Sequence, residues 1–447
     1  MIDVKIPQSI SPLGETAVKM LSIVAIAALI AWPAQASLTL SDSPTSNVDC
    51  NAGVCIANAA VANLNVTDLT TLLASSDVRV LSETNALQNI EVLSPFSWAS
   101  NHSLSLESND AIHLLSPITV KGTAHLALNH NGGINFQKKG AVHFWDVASQ
   151  FSINGGAYTL VNSITGLADA VAKHPNGLIA FANDYDAKQD GQLKSSPVST
   201  PFNGAFAGLG NKISNLSIWD TTDTNVALFA ATKPGADLFD IGIVNANVLS
   251  ENTFNNVVGT LVAYNAGEID NCYATGQIRS DFRMTGGGLV GVNYGDISRS
   301  WANVFVSGAE VAEVGGLIGN AHGHVQDVYA TGRVIAGDQS DVGGLIGYDI
   351  GHVRNAYATG QVSGGQNARV GGVMGSVVLR SIHDTYWDTE TSGTQFGVGG
   401  TNVSGATGMT TAELQAKLPD GFAVGTWAQS VKINGGLPYL VTNPPRH

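Results

Sequence analysis

A 28-residue repeat constrains the fold of this chain more than any other feature. Gly287-Gly288-Leu289-Val290-Gly291 returns as Gly315-Gly316-Leu317-Ile318-Gly319, as Gly343-Gly344-Leu345-Ile346-Gly347 and as Gly371-Gly372-Val373-Met374-Gly375. Gly259-Thr260-Leu261-Val262-Ala263 is a degenerate earlier copy. The second half of the unit repeats as well: Cys272-Tyr273-Ala274-Thr275-Gly276, Ser300-Trp301-Ala302-Asn303-Val304, Val328-Tyr329-Ala330-Thr331-Gly332 and Ala356-Tyr357-Ala358-Thr359-Gly360. Short units of strands and turns cannot bury their apolar side chains one by one. Stacking solves this, because each strand then pairs with its copy one unit away. No segment sustains a 3.6-residue spacing, the leucine-rich-repeat signature is missing, and a propeller blade needs about 40–50 residues. The expected fold is all-β, a right-handed parallel β-helix with short helical cap or strap elements, its hand set by the usual chirality of parallel crossovers.

Parity within the unit assigns the faces. Ala274, Ala302, Ala330 and Ala358 share parity with Ile278, Val306, Val334 and Val362, and with Cys272, Ser300, Val328 and Ala356. These point inward, which makes Cys272 a buried, inert thiol. Gln277, Phe305, Arg333 and Gln361 point outward. After Gly375 the register slips by one, since Tyr386 rather than Thr385 fills the aromatic slot.

A second period, of 22 residues, precedes the first. Ile90-Glu91-Val92-Leu93-Ser94-Pro95 recurs as Ile112-His113-Leu114-Leu115-Ser116-Pro117, Leu104-Ser105-Leu106 as Leu126-Ala127-Leu128, and Ile134-Asn135-Phe136 continues the series. The expected organisation is a 22-residue-period section at 37–160, a transition at 161–225 with a short helix near Ile164–Ala172, 28-residue rungs at 226–392, and a tail at 393–447. In the tail Thr410 and Glu413 form a capping box, Glu413–Leu418 is helix-forming and Pro419 ends it. A solenoid end needs a cap because its edge strand is unpaired, so this helix is a cap or a strap along one face.

Residues 1–36 read as an export signal. Lys19 precedes an apolar run from Leu21 to Trp32, and Ala34-Gln35-Ala36 places small residues before Ser37. An uncleaved anchor is the alternative. The expected location is therefore secreted or at the cell surface, with the export machinery as a partner. In an oxidising compartment a local disulfide between Cys50 and Cys55 is plausible, two unpaired thiols being the other reading. The formal net charge of −14 argues against nucleic acid as a partner.

The 28-residue units resemble the GLUG motif, which recurs in large secreted bacterial proteins, including IgA-peptidase-like proteins and filamentous-haemagglutinin-type adhesins. The stretches Leu64–Leu73, Phe151–Leu160, Phe202–Gly210, Tyr386–Gly393 and Ile433–Leu440 also resemble the body of such adhesins. The family's large members begin with a dedicated secretion domain, whereas here the signal runs almost directly into the repeats. The resemblance implies a secreted or surface scaffold that binds a host or environmental ligand, glycans among them. A polysaccharide-active β-helix enzyme and a ligand-free spacer are the competing readings.

Three sets of residues carry these alternatives. Tyr273, Trp301, Tyr329 and Tyr357, with Thr275, Asn303, Thr331 and Thr359, share outward parity and form an aromatic stripe beside a polar one, suited to stacking on sugar faces unless the tail covers it. Glu268, Asp296, His324 and His352 form an outward ladder with members about 5 Å apart, either a solvated stripe or a site that charges at acidic pH or holds a divalent metal weakly. His383-Asp384-Thr385-Tyr386-Trp387-Asp388-Thr389-Glu390 is the best local stretch for acid–base chemistry, with Asp388 at its centre, though a turn role is the plainer reading. No nucleotide-binding or zinc-protease motif is present, and no cofactor is expected.

Overall fold

The computed structural model describes residues 36–82, 88–252, 255–378 and 381–445. The expected export signal lies almost wholly outside them. Ala36–His447 forms one compact unit. It is a parallel β-solenoid of about 12 turns.

In the regular part each 28-residue unit is one rung, whose four strands are shared among three sheets. Counting the longest sheet first, the second is built from Asn256–Val258, Met284–Gly287, Glu313–Gly315, Asp341–Gly343 and Arg369–Gly371. The third is built from Val262–Asn265, Val290–Asn293, Ile318–Ala321, Ile346–Asp349 and Met374–Val377. The longest is the sheet of Tyr273–Ser280, Trp301–Ser307, His324–Ala330, His352–Ala358 and Ser381–Asp388. Ala274, Ala302, Ala330 and Ala358 lie directly opposite one another on successive strands. Ala358 then faces Trp387, a spacing of 29, so the register slip occurs where the sequence places it.

The interior explains why glycine pairs and alanines repeat together. A Cβ on Gly344 would stand 2.1 Å from the carbonyl oxygen of Gly372 and 3.1 Å from Ala358 Cβ. Only glycine fits, and only a small inward residue fits opposite it. The rest of the core is branched: Ile278, Val306 and Val334 are wholly buried, as are Leu289, Leu317 and Leu345. Cys272 is buried too, and burial pushes its thiol well above the usual range.

The 22-residue period holds where Ile90, Ile112 and Ile134 pair in series and Leu104 pairs with Leu126. The next rung is longer, Leu126 facing Phe151. Cys50 and Cys55 face each other across the hairpin of Val48–Asn51 and Val54–Ala57 and are joined by a disulfide. A helix at Val66–Leu73, capped by Asn65, was not foreseen from the pattern; it is a two-turn insert that packs Leu69 and Leu73 inward. The expected helix near 164–172 is Ile164–Lys173, capped by Ser163. Residues 161–225 are themselves rungs, since Leu178–Phe181 pairs with Ala205–Ala207 and that with Asp237–Phe239. The tail helix is Thr411–Ala416, with the Thr410–Glu413 capping box formed in both directions. Among the described residues no helix is long and apolar enough to cross a membrane.

Candidate functional site

The site's shape begins with a backbone kink. Asp240, Asn271, Arg299, Asp327, Asn355 and Asp384 all have positive φ, between 44° and 59°. Asn and Asp tolerate this left-handed conformation better than most residues, so they dominate the column. The kink resets the alternation: Ile269 points inward on one side of Asn271, and Cys272 and Ala274 point inward on the other. It also separates two outward stripes at different angles.

The first stripe is aromatic, and the expectation that it binds ligand is overturned. Tyr273, Trp301, Tyr329 and Tyr357 do stack, with ring centroids 4.8, 5.6 and 5.0 Å apart. Yet they are only 7, 4, 1 and 0 % exposed. The tail lies over them, with Leu414, Phe422, Trp427 and Leu440 in the same apolar cluster. Polar contacts fix it in place. Tyr357 donates to the Pro438 carbonyl at 2.7 Å, Trp301 Nε1 to the Asn443 carbonyl at 2.9 Å, and Trp427 Nε1 to Asp327 Oδ1 at 2.9 Å. An uncovered row of rings would be a large exposed apolar patch, and the strap removes it from water. Thr275, Thr331 and Thr359 are half-buried beside it and Asn303 is exposed, so the polar companions no longer adjoin an open ring surface.

The second stripe stays open. Glu268, Asp296, His324 and His352 are all exposed. Glu268 lies opposite Asp296, and His324 opposite His352. The two imidazoles stack at 4.9 Å, and His352 Nδ1 lies 2.6 Å from Ser381 Oγ. The neighbouring column places Gln326, Arg354 and His383 side by side. Arg354 Nε donates to Gln326 Oε1 at 2.8 Å, joined by Nη2, and Gln326 Nε2 donates to Asp327 Oδ2 at 2.7 Å. His324, Gln326, His352, Arg354, Ser381 and His383 line a groove of about 340 Å³.

The other end of the stripe is acidic. Asp237 lies opposite Glu268. With Asp270, Asp240, Arg299, Tyr158 and His130 they line a cleft of about 330 Å³. Burial, with Glu268 and Asp270 adding repulsion, pushes the Asp237 carboxyl up to about 6. Burial pushes Asp240 up to about 8 against the opposing hydrogen bond from Asn271. Asp270 is paired with Arg299. Burial, then Asp237, raises the Tyr158 phenol to about 12, and burial lowers His130. Glu268 and Asp296 stand in the ladder read from the sequence; Asp237 joins them one rung earlier, outside the 28-residue spacing that reading followed.

The His383–Glu390 stretch does not form an acid–base pair. Asp388 is 1 % exposed, and its Oδ1 accepts from the Glu390 and Thr391 amides at 2.9 and 3.1 Å while Oδ2 accepts from Thr411 Oγ1 at 2.6 Å. It closes a turn and ties the tail to the last rung. Among the described residues no group of three or more His, Cys, Asp or Glu side chains is disposed to hold a metal ion.

No family model matches the chain, and no curated protein does. Among solved structures, one from Bacteroides ovatus, titled a "putative immunoglobulin A1 protease", is similar over 65 % of this chain and 94 % of its own, with a TM-score of 0.49 and 17 % identity.

Proposed function

We propose that this chain is an exported, adhesin-like scaffold that binds a host or environmental ligand, a glycan among the candidates, through the open stripe running from Asp237 and Glu268 to His352 and Ser381. The observation that carries the reading is the contrast between the two outward stripes. The tail covers the aromatic row and leaves the polar one bare, with a groove at its end. Side chains at fixed rung spacing on a rigid sheet lose little entropy on binding and suit a ligand that is itself repetitive. The Cys50–Cys55 disulfide fits an oxidising compartment. A binding screen of the full chain against glycans and matrix proteins tests this. Binding weakened by Asp296→Ala or His324→Ala supports it; binding unchanged in both, or no binding at all, leaves a spacer.

The enzymatic alternative has a specific location in the acidic cleft. A carboxyl pushed up to about 6 by burial and by neighbouring acidic side chains is the arrangement that general acid catalysis uses. Depolymerisation of a polysaccharide by the purified chain, lost in Asp237→Asn and Glu268→Gln, establishes it. Intact polymer after prolonged incubation removes it.

A further inference from the structure

We infer that the groove at the histidine end of the stripe binds the carboxylate or sulfate groups of an acidic polysaccharide. The inference deepens the scaffold reading and rests on it. Its first ground is an arginine without a counter-ion. Arg79, Arg279, Arg299 and Arg369 each pair with a carboxylate, Glu107, Asp281, Asp270 and Asp341 respectively. Arg354 instead gives Nε and Nη2 to the neutral amide oxygen of Gln326. Among the described residues Arg283 and Arg333 also stand outside the ion pairs, Arg333 over the Phe305 ring, but Arg354 is the one that lines the groove. The amide orients the fork and leaves its charge uncompensated, and a guanidinium is the side chain best matched to planar oxyanions.

The second ground is what stands around it. His324 and His352 stack at 4.9 Å on one side, and His383 lies opposite Arg354 on the next rung. Ser381 Oγ reaches His352 Nδ1 at 2.6 Å, so the hydroxyl fixes one ring's orientation. Three histidines and an arginine from three successive rungs thus line one concave surface. The carboxylates facing the group are few: Asp296 one rung back along the ladder, Asp327 behind Gln326, and Asp384 beside His383. Asp327 is 7 % exposed and is held by Trp427 and Asn355 as well, so it does not reach into the groove. Histidines take up protons between pH 8 and 5. Adjacent imidazoles repel once both are charged, and an anion bound along the edges of the stacked rings offsets that repulsion.

The test measures binding of the full chain to polygalacturonate, dextran sulfate and neutral dextran at pH 5.5 and pH 8, with wild type, Arg354→Ala, His352→Ala and, as a control for charge alone, Arg279→Ala. The expected result is binding to one or both anionic polymers, at least tenfold tighter at pH 5.5, with tenfold weakening in Arg354→Ala and His352→Ala and less than twofold change in Arg279→Ala. Polygalacturonate alone identifies the carboxylate source, and dextran sulfate alone the sulfate source. Equal loss in Arg354→Ala and Arg279→Ala, or equal binding to neutral dextran, overturns the inference. If the wider screen finds a neutral ligand whose binding survives Arg354→Ala, the groove assignment fails while the scaffold reading stands.

Discussion

Replacing Asp349 by Asn stabilises the protein at neutral pH. Asp349 is wholly buried at the end of a strand in the third sheet of the rungs. Asn265 and Asn293 hold the same position in two earlier rungs. Each turns its amide nitrogen to a carbonyl two residues on, Gly267 at 3.0 Å and Gly295 at 2.8 Å. Asp349 Oδ1 accepts from the Gly351 amide at 3.0 Å, as Asn265 Oδ1 does from Gly267. Its Oδ2 stands where the others carry a donor, and it has no partner. Burial accordingly pushes the carboxyl up to about 6 from an ordinary 3.8. Holding it ionised in the folded state costs about 3 kcal/mol at neutral pH. The sign follows from proton counting. Between about 4 and about 6 the folded state holds the proton more tightly than the unfolded state, so wild-type stability falls as pH rises through that window. Below it the penalty vanishes. Urea unfolding of wild type and Asp349→Asn from pH 3.5 to 8 reads the difference. The advantage of the variant should be small at pH 3.5, grow through pH 4–6 and level off at about 3 kcal/mol. A difference that does not vary with pH would refute the reasoning, because it would mean that the carboxyl is not buried and unpartnered as described.

Further perturbations probe the other parts of the account. Gly344→Ala puts a Cβ 2.1 Å from a backbone carbonyl and should cost about 2 kcal/mol or more by urea unfolding, whereas Gly400→Ala, whose Cβ meets nothing within 4 Å but whose φ is +77°, tests backbone strain alone at about 1 kcal/mol. Trp427→Ala removes the ring packed on Tyr329 and Tyr357 and should cost about 3–5 kcal/mol, with faster hydrogen exchange confined to the tail and the strands beneath it. Reducing Cys50–Cys55, which closes a very short loop, should lower stability by about 2 kcal/mol without altering the spectrum of the remaining rungs.

Much of this fold is legible in the chain because a repeat states its own register. The 28-residue spacing of Ala302, Ala330 and Ala358 names the residues that face each other, and the extra residue before Tyr386 names the slip. The Thr410–Glu413 capping box marks the tail helix for a similar reason, since capping is local chemistry, whereas the Asn65 cap went unread. The site was less legible. Parity says which way Tyr329 points and is silent about what lies above it. The cover comes from Phe422 and Trp427, roughly 100 residues away, in a tail with no period. The column of left-handed residues from Asp240 to Asp384 was present as an Asn/Asp-rich repeat position, and reading it as a kink would have divided the outward residues into two stripes. Asp349 hid for a different reason. It continues a position held by Asn265 and Asn293, and only burial distinguishes a stray carboxylate from a solvated one.

The central claim is that the tail closes the aromatic row and leaves the polar stripe as the surface that meets a ligand. Hydroxyl-radical footprinting of the full chain, read residue by residue by mass spectrometry with and without polygalacturonate at pH 5.5, tests it most directly. The account predicts that Trp301, Tyr329 and Tyr357 stay unmodified in both conditions, and that His324, His352 and His383 are modified in the free protein and protected by the polymer. Modification of Tyr329 and Tyr357 in the native chain, protected by the polymer while the three histidines are unaffected, would contradict it.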